Sequence, residues 1–244
     1  VEATKLAFKI RDSAITDPNY MTKNAQEWLA KESLDDLAKS IQIEKAMAWG
    51  EGKGPGDTIW MGTTDKDGLA VSFIQSIYHE YGSGIVLEST GINWQNRGAS
   101  FSLDKNHINA LLPNKKPFHT LNPAGARLKD GRVMVYGNMG GDGQPQSQAA
   151  VFTRYAVFNQ PLQTAVTAPR WLLGRTWGQS SDTLKLESRF PDAVFEALKA
   201  RGHDVEKMGA FDSALGHAGA IVRLPSGVLL GATDPRADGV VAAF

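Results

Sequence analysis

Residues 50–58 read Gly-Glu-Gly-Lys-Gly-Pro-Gly-Asp-Thr, a glycine-rich loop that ends at a threonine, and the sequence after it is an apolar strand. Four glycines and a proline cannot sustain a helix or a central strand, so this backbone is exposed and accessible to cleavage. If the bond between Asp57 and Thr58 breaks, Thr58 gains a free α-amino group beside its own hydroxyl, and one residue then holds both a nucleophile and a base. The alternative is a flexible loop that enters a strand whose first threonine has no chemical role.

Composition limits the classes of function. The 244 residues are 42% apolar and 21% charged, which is enough for one large domain with a substantial core. The 26 basic and 26 acidic side chains balance, and no apolar run approaches the roughly 20 residues of a membrane span, so neither nucleic acid nor a membrane is an expected partner. The chain has no cysteine and its five histidines lack metal-ligand spacing, so no metal is expected. No other cofactor is indicated, and the compartment stays open.

Helical periodicity precedes the loop. Residues 1–10 predict an amphipathic helix with Ala3, Leu6, Ala7 and Ile10 on one face. A second helix is predicted to start near Ser33, because Ser33 to Asp36 is typical of a capping box. The chain opens in mid-helix, so we expect it to be a piece of something longer.

Strand patterns follow Thr58. Residues 58–64 and 69–77 predict a hairpin with a turn at residues 65–68, and residues 127–136 predict a second hairpin around a Lys-Asp-Gly turn. Helices are predicted at 144–159, 162–168 and 192–201, the last with Asp192 as its cap. A strand is predicted at 184–188, and two final strands flank residues 225–227.

Gly140 and Gly141 lie between a predicted strand and a predicted helix. Consecutive glycines there present backbone N–H groups at a helix N-terminus, where an anion or an oxyanion can bind. Dinucleotide binding is the rival use, but the Gly-x-Gly-x-x-Gly spacing is absent. A third reading is that the glycines serve only a tight turn.

The ordered landmarks together resemble the γ-glutamyltranspeptidase family of N-terminal nucleophile (Ntn) hydrolases. The landmarks are the glycine-rich loop with Thr58, Asp65-Lys66-Asp67-Gly68, Gly82-Ser83-Gly84-Ile85-Val86, Asn114-Lys115-Lys116-Pro117, Gly140-Gly141, Ala168-Pro169-Arg170 and Asp234-Pro235-Arg236. The resemblance covers nearly the whole chain. It implies that residues 1–57 are the end of a large subunit and that residues 58–244 are a small subunit released by self-cleavage between Asp57 and Thr58.

The resemblance also implies the catalytic groups. Thr58 is the expected nucleophile, Gly140 and Gly141 the oxyanion donors, and Ser76 the second hydroxyl, at a position where the family has threonine. A freed α-amino group has a pKa of about 7.7 to 8, so near neutral pH it can accept the hydroxyl proton.

The substrate pocket departs from the family pattern. Tyr78 stands in place of an asparagine, Ser100 in place of the aspartate that would pair with an α-ammonium group, and His119-Thr120 in place of a serine pair. The run Asn96-Arg97-Gly98-Ala99-Ser100-Phe101 brings in a positive charge. The chain is therefore more similar to the amidohydrolase and acylase branch, and a small-molecule amide is the expected substrate.

The expected fold is the α+β, four-layer αββα sandwich of Ntn hydrolases, incomplete if the rest of the large subunit is absent. The partner would then be that remainder, and exposed apolar faces predict a homodimer or aggregation. Two alternatives stay open. One is a true γ-glutamyltransferase or glutathione hydrolase, and the other is an uncleaved, catalytically silent fragment.

Overall fold

The structure is a computed structural model that describes residues 1–49, 57–175 and 181–244. The glycine-rich loop of residues 50–56 lies outside the described residues, although Asp57 and Thr58 lie inside them. No helix in the described ranges is long and apolar enough to cross a membrane.

The secondary structure alternates between helices and short strands. The helices are α1 (Glu2–Ala14), α2 (Ala25–Trp28), α3 (Lys31–Lys39), α4 (Gly143–Phe152), α5 (Leu162–Thr167) and α6 (Asp192–Ala200). The strands are β1 (Asp57–Thr64), β2 (Ala70–Tyr78), β3 (Val86–Leu87), β4 (Ile92–Asn93), β5 (Ala124–Arg127), β6 (Val133–Asn138), β7 (Trp171–Leu173), β8 (Leu184–Glu187), β9 (Val205–Met208), β10 (Ala218–Arg223) and β11 (Leu229–Thr233). Both predicted hairpins are confirmed, as β1–β2 and β5–β6.

Three layers are stacked in the described part of the chain. The middle layer is a four-stranded antiparallel sheet in the order β11-β10-β6-β5. Helices α4 and α5 cover one face of this sheet in an apolar core that includes Met134, Val151 and Val222. The β1–β2 hairpin packs on the other face. The observed order is therefore helix, sheet, hairpin, which is mixed α and β as predicted. A separate sheet, β7-β8-β9, packs with α6.

Trp60 is the contact between the hairpin and the sheet. Its indole lies over Gly137 of β6 and Gly219 of β10, which are paired across the two strands. A Cβ atom added to Gly137 would lie 1.9 Å from the indole Cδ1, and one added to Gly219 would lie 2.4 Å from Cζ3. The indole Nε1 donates to Ser72 Oγ at 2.9 Å. The sheet therefore needs glycine at both positions to accept the ring.

A buried ion-pair network fixes the loop before β10. Arg170, 0% exposed, pairs with Asp234 at 2.7 Å, and its Nη1 donates to the carbonyl of Gly216, also at 2.7 Å. Asp234 also accepts the N–H of Ala218 at 2.7 Å. Burial opposes ionisation of Asp234, but the charges of Arg170 and Arg236 hold its pKa below the ordinary value. The network therefore holds Gly216 in place.

The N-terminal helices differ from the sequence predictions. Helix α3 begins at Lys31 rather than near Ser33, and the Ser33 hydroxyl donates to the carbonyl of Glu27 instead of capping. The capping box lies earlier, at Asn24 and Glu27 of α2, where both reciprocal hydrogen bonds form. Asp192 is likewise the first residue of α6 and not its cap, because Pro191 occupies the cap position. These starts are wrong by one or two residues because neighbouring polar residues compete for the same role.

The predicted apolar stripe of α1 is not its most buried face. It lines an open apolar groove of about 400 Å³ shared with α2 and α3. The buried residues of α1 are Lys5 and Phe8. Lys5 donates to the carbonyl of Met47 and pairs with Glu2, and Phe8 packs on Trp49. Helix α1 is therefore fastened to the segment that leads into the glycine-rich loop.

The outward face of the β1–β2 hairpin is apolar and exposed. Ile59 and Phe73, for example, keep 55% and 45% of their surface accessible. Contiguous apolar surface of this kind marks an interaction site. No fourth layer covers it within the described residues, so the four-layer sandwich remains a prediction.

Substituting alanine for glycine tests the packing of Trp60. Gly219→Ala is expected to lower the free energy of unfolding by about 2 kcal/mol or more, because the added methyl displaces the indole. The matched control is Gly125→Ala in β5, where the nearest atom to the new Cβ is 3.8 Å away. Its unfolding free energy should stay within about 0.5 kcal/mol of wild type. Urea denaturation measures the free energy of unfolding of both variants. Equal losses in the two would contradict the claim that Trp60 requires glycine at position 219.

Candidate active site

Thr58 lies at the start of β1, where the hairpin is irregular. Asp57 is opposite Tyr78 and Thr58 is opposite Ser76, so the register shifts between Asp57 and Thr58. Bulges of this kind often lie beside active sites because they redirect a side chain. The Thr58 hydroxyl donates to Ser76 Oγ at 3.0 Å, and the same oxygen accepts the N–H of Tyr78 at 3.0 Å. The structure thus joins the predicted nucleophile to the predicted second hydroxyl.

Strand β1 runs along β10 in such a way that Thr58 lies at the end of the sheet near the glycine pair. Trp60 contacts Gly219, and Gly62 faces Ile221 further along β10. Thr58, two residues before Trp60 on the same face, therefore faces the opposite end of β10 and the adjoining end of β6. That end of β6 leads directly into residues 139–142. Thr58, the predicted nucleophile, and Gly140-Gly141 consequently lie at the same edge of the sheet.

The glycine pair forms a tight, buried turn. Gly140 and Gly141 have φ angles of +128° and +51°, in the region that favours glycine. Their carbonyls accept the N–H groups of Gly143 and Gln144 at 2.7 and 3.1 Å. Across residues 1–49, 57–175 and 181–244, the N–H groups of Gly140 and Gly141 donate to no protein acceptor. Two buried donors without an acceptor are suited to an anion at the start of α4.

Two neighbours hold this turn in shape. Gly216, anchored by Arg170, packs against it so closely that a Cβ atom there would lie 2.4 Å from the carbonyl oxygen of Met139. On the other side, Arg11 of α1 pairs with Asp142 at 3.0 Å. The Arg11 guanidinium also lies over the ring of Phe8 at 3.9 Å. Helix α1 is therefore fixed to the residue that follows the glycine pair.

The predicted substrate-binding residues gather around Tyr78. Tyr78 has a φ of +79°. The Cζ atom of the Arg97 guanidinium lies over the Tyr78 ring, 3.8 Å from the ring centroid. Arg97 Nη1 lies 3.5 Å from Thr120 Oγ1. Asn96 accepts the N–H of His79 at 3.0 Å, so it shapes the backbone beside Tyr78. The Ser100 hydroxyl is buried and has no hydrogen-bond partner among the described residues.

His119 is the most exposed member of this group. Partial desolvation and the nearby charge of Arg97 both lower its pKa, so the ring is neutral at neutral pH.

The loop that contains His119 and Thr120 is held to the N-terminal segment, because Asp17 accepts the N–H of Lys116 at 2.7 Å. That bond and a second one from the N–H of Asn19 lower the pKa of Asp17.

Sequence reasoning missed four residues that organise the site: Trp60, Arg11, Asp142 and Asp17. Each acts through contacts that are distant in sequence, so no local pattern indicates its part in the site. Within the described ranges, no group of three His, Cys, Asp or Glu side chains could hold a metal ion.

Comparison with known proteins identifies the family of the chain. The family model described as gamma-glutamyltranspeptidase matches residues 1–244. An oxamate amidohydrolase proenzyme from Klebsiella pneumoniae is 64% identical over 244 residues, which are 100% of this chain and 46% of that protein. A glutathione hydrolase-like YwrD proenzyme from Bacillus subtilis is 43% identical over 98% of this chain and 45% of its own length. The chain thus spans about half the length of these relatives.

A solved structure is similar over the whole chain. The cephalosporin acylase from Bacillus halodurans superposes with a TM-score of 0.84 at 36% identity, covering 100% of this chain and 44% of that protein.

Removing the Ser76 hydroxyl tests its part in the site. Ser76→Ala takes away the acceptor of the Thr58 hydroxyl and leaves the Tyr78 N–H unpaired. Cleavage between Asp57 and Thr58 is expected to slow by about ten- to a hundredfold, which corresponds to ~1–3 kcal/mol. Ser76→Thr keeps the oxygen and should cleave at nearly the wild-type rate. Intact-mass time courses measure both, and a wild-type rate for Ser76→Ala would exclude this role.

Proposed function

Because the chain belongs to the gamma-glutamyltranspeptidase family, we propose that it is the part of an amide hydrolase or acyltransferase that carries the nucleophile, Thr58. The observation that carries this proposal is the 3.0 Å hydrogen bond between Thr58 and Ser76 at the irregular start of β1. We propose that the precursor cleaves itself between Asp57 and Thr58. Both relatives named above are called proenzymes, which supports this step. Residues 1–57 would then end the large subunit, and residues 58–244 would form the small one.

The reaction is a two-step acyl transfer. The Thr58 hydroxyl oxygen attacks the amide carbonyl carbon, and its proton passes to the free α-amino group of Thr58. The N–H groups of Gly140 and Gly141 bind the oxyanion that develops, a contribution worth about 3 kcal/mol for each donor. The C–N bond then breaks, and the amine leaves with the proton from the α-amino group. Water attacks the resulting Thr58 ester in the same way and releases the acid, whereas an attacking amine gives transfer.

The substrate is a small amide rather than a γ-glutamyl compound. The relative that is 64% identical is named for oxamate, so oxamate is the first substrate to test. The pocket supports this choice, because the positively charged Arg97 lies over Tyr78, whose N–H shares the Ser76 oxygen with the Thr58 hydroxyl. Ser100 supplies no carboxylate for an α-ammonium group. Asn96, His119 and Thr120 would complete the wall of the pocket.

The proposed partner is the remainder of the large subunit. Its residues would cover the exposed apolar face of β1 and β2 and add the second helical layer of an αββα sandwich. The relatives support this arrangement, because more than half of their length lies outside the match.

Replacing the nucleophile tests the function directly. Thr58→Ala in the full-length protein is expected to give one unbroken chain and no ammonia from oxamate, because both reactions need the same hydroxyl. The control is Thr63→Ala, an exposed residue of the same strand, which should cleave and hydrolyse normally. Intact mass, N-terminal sequencing and ammonia release are the measurements. Cleavage at residue 58 in Thr58→Ala would rule out the proposal.

A γ-glutamyl-anilide assay separates the alternative activity. Wild-type protein that releases the anilide faster than it hydrolyses oxamate would be a γ-glutamyltransferase instead.

A further inference from the structure

Arg97 differs from the other deeply buried arginines of the described residues. Arg170 and Arg236 are also buried, and each forms an ion pair with a carboxylate, at 2.7 Å and 2.8 Å to Asp234. Arg97 is 2% exposed, but no carboxylate of the described residues lies within 4.0 Å of its guanidinium. Its contacts there are the face of Tyr78 at 3.8 Å and the Thr120 hydroxyl at 3.5 Å. Neither contact neutralises the charge.

A buried cation without a counter-ion is costly to maintain. Burial lowers the pKa of Arg97, which reflects the loss of hydration around the guanidinium. Structural arginines avoid this cost by pairing, as Arg170 and Arg236 do. Such uncompensated charge is characteristic of a functional site, where a ligand supplies the opposite charge.

The guanidinium keeps narrow access to solvent. The Nε atom of Arg170 is fully buried without a hydrogen-bond partner, whereas no nitrogen of Arg97 is in that state. The Nε and Nη2 atoms of Arg97 donate to no acceptor among the described residues, so they are available at the small part of the side chain that stays accessible. A small planar anion can bind there through two parallel hydrogen bonds.

Two residues, Tyr78 and Ser76, connect this cation to the proposed nucleophile. The ring of Tyr78 lies under the guanidinium, and its N–H donates to Ser76 Oγ, which accepts the Thr58 hydroxyl. The contacts therefore form one continuous path from the Thr58 hydroxyl to the Arg97 guanidinium.

We infer that Arg97 is the carboxylate anchor of the acyl pocket, and that the substrates are amides of short acids that carry a second, ionised carboxylate. Thr120 adds a hydroxyl beside the same anion. The inference rests on the proposed function of Thr58. It goes further because it assigns selectivity for charge to one residue of this chain.

A pair of substrates that differ only in charge tests the assignment. Oxamate carries the carboxylate, and oxamide replaces it with a neutral carboxamide of nearly the same size. In the full-length protein, Arg97→Met is expected to lower kcat/KM for oxamate on the order of 100-fold. Its kcat/KM for oxamide should change by less than about threefold, since no carboxylate is lost there. Arg97→Lys keeps the positive charge, so its kcat/KM for oxamate should lie between the values of wild type and Arg97→Met.

Two controls keep the outcome clear. Lys105→Met removes an exposed positive charge from the following loop and should leave both substrates unaffected. Cleavage at Thr58 in every variant shows that the nucleophile is assembled. If kcat/KM falls equally for oxamate and oxamide in cleaved Arg97→Met, Arg97 has only a structural role and the inference is wrong. If kcat/KM for oxamate does not fall, the substrate carboxylate binds to another group and the inference is also wrong.

Binding of oxalate gives a second, independent readout. Calorimetry should detect oxalate bound to wild type and to Arg97→Lys, and binding to Arg97→Met should be at least about tenfold weaker. Equal binding to wild type and Arg97→Met overturns the inference even if no amide is hydrolysed. Failure of the proposed function is distinguishable, because it appears as an unbroken wild-type chain or as amide hydrolysis by Thr58→Ala.

Discussion

The placement of the candidate site depends on the contact between Trp60 and two glycines. The indole occupies the space that Gly137 and Gly219 leave on the sheet, and a methyl group at either position would overlap the ring. This contact sets the depth and direction of β1, and Thr58 lies two residues earlier on the same face. The same strand pair continues into the turn of Gly140 and Gly141. One packing constraint thus places Thr58 and the glycine pair, the proposed nucleophile and oxyanion donors, at one edge.

Local patterns predicted the strands well and the site less completely. The hairpins follow from alternating apolar residues and Asp-Gly turns, which act over a few residues. The helix starts were displaced at Ser33 and Asp192, where several polar residues could serve as the cap. Local sequence indicated Thr58 and the glycine pair as candidates, and the resemblance to a family added Ser76 and the expected role of each residue. The burial of Arg97 and the pairing of Arg11 with Asp142 could not be predicted, because they depend on distant contacts.

Charge is distributed unequally between the scaffold and the pocket. Around Asp234 and Glu187, buried arginines meet buried carboxylates, so that region is neutral and rigid. Near Tyr78, by contrast, the buried positive charge of Arg97 has no paired carboxylate among the described residues. The residues before Thr58 contact the turn of the glycine pair through Arg11 at Asp142, and the loop of His119 through Asp17 at Lys116. Cleavage would therefore free the amine of Thr58 without releasing the helical segment that shapes its surroundings.

Trapping the acyl-enzyme tests whether Thr58 is the nucleophile. Cleaved full-length protein would be mixed with oxamate, quenched in acid within milliseconds and digested, and the peptide that begins at Thr58 would be weighed. If Thr58 is the nucleophile, the peptide carries an oxalyl ester on Thr58, and this ester disappears when turnover is allowed to finish. An unmodified Thr58 peptide during steady turnover, or a label on another residue, would contradict that role of Thr58.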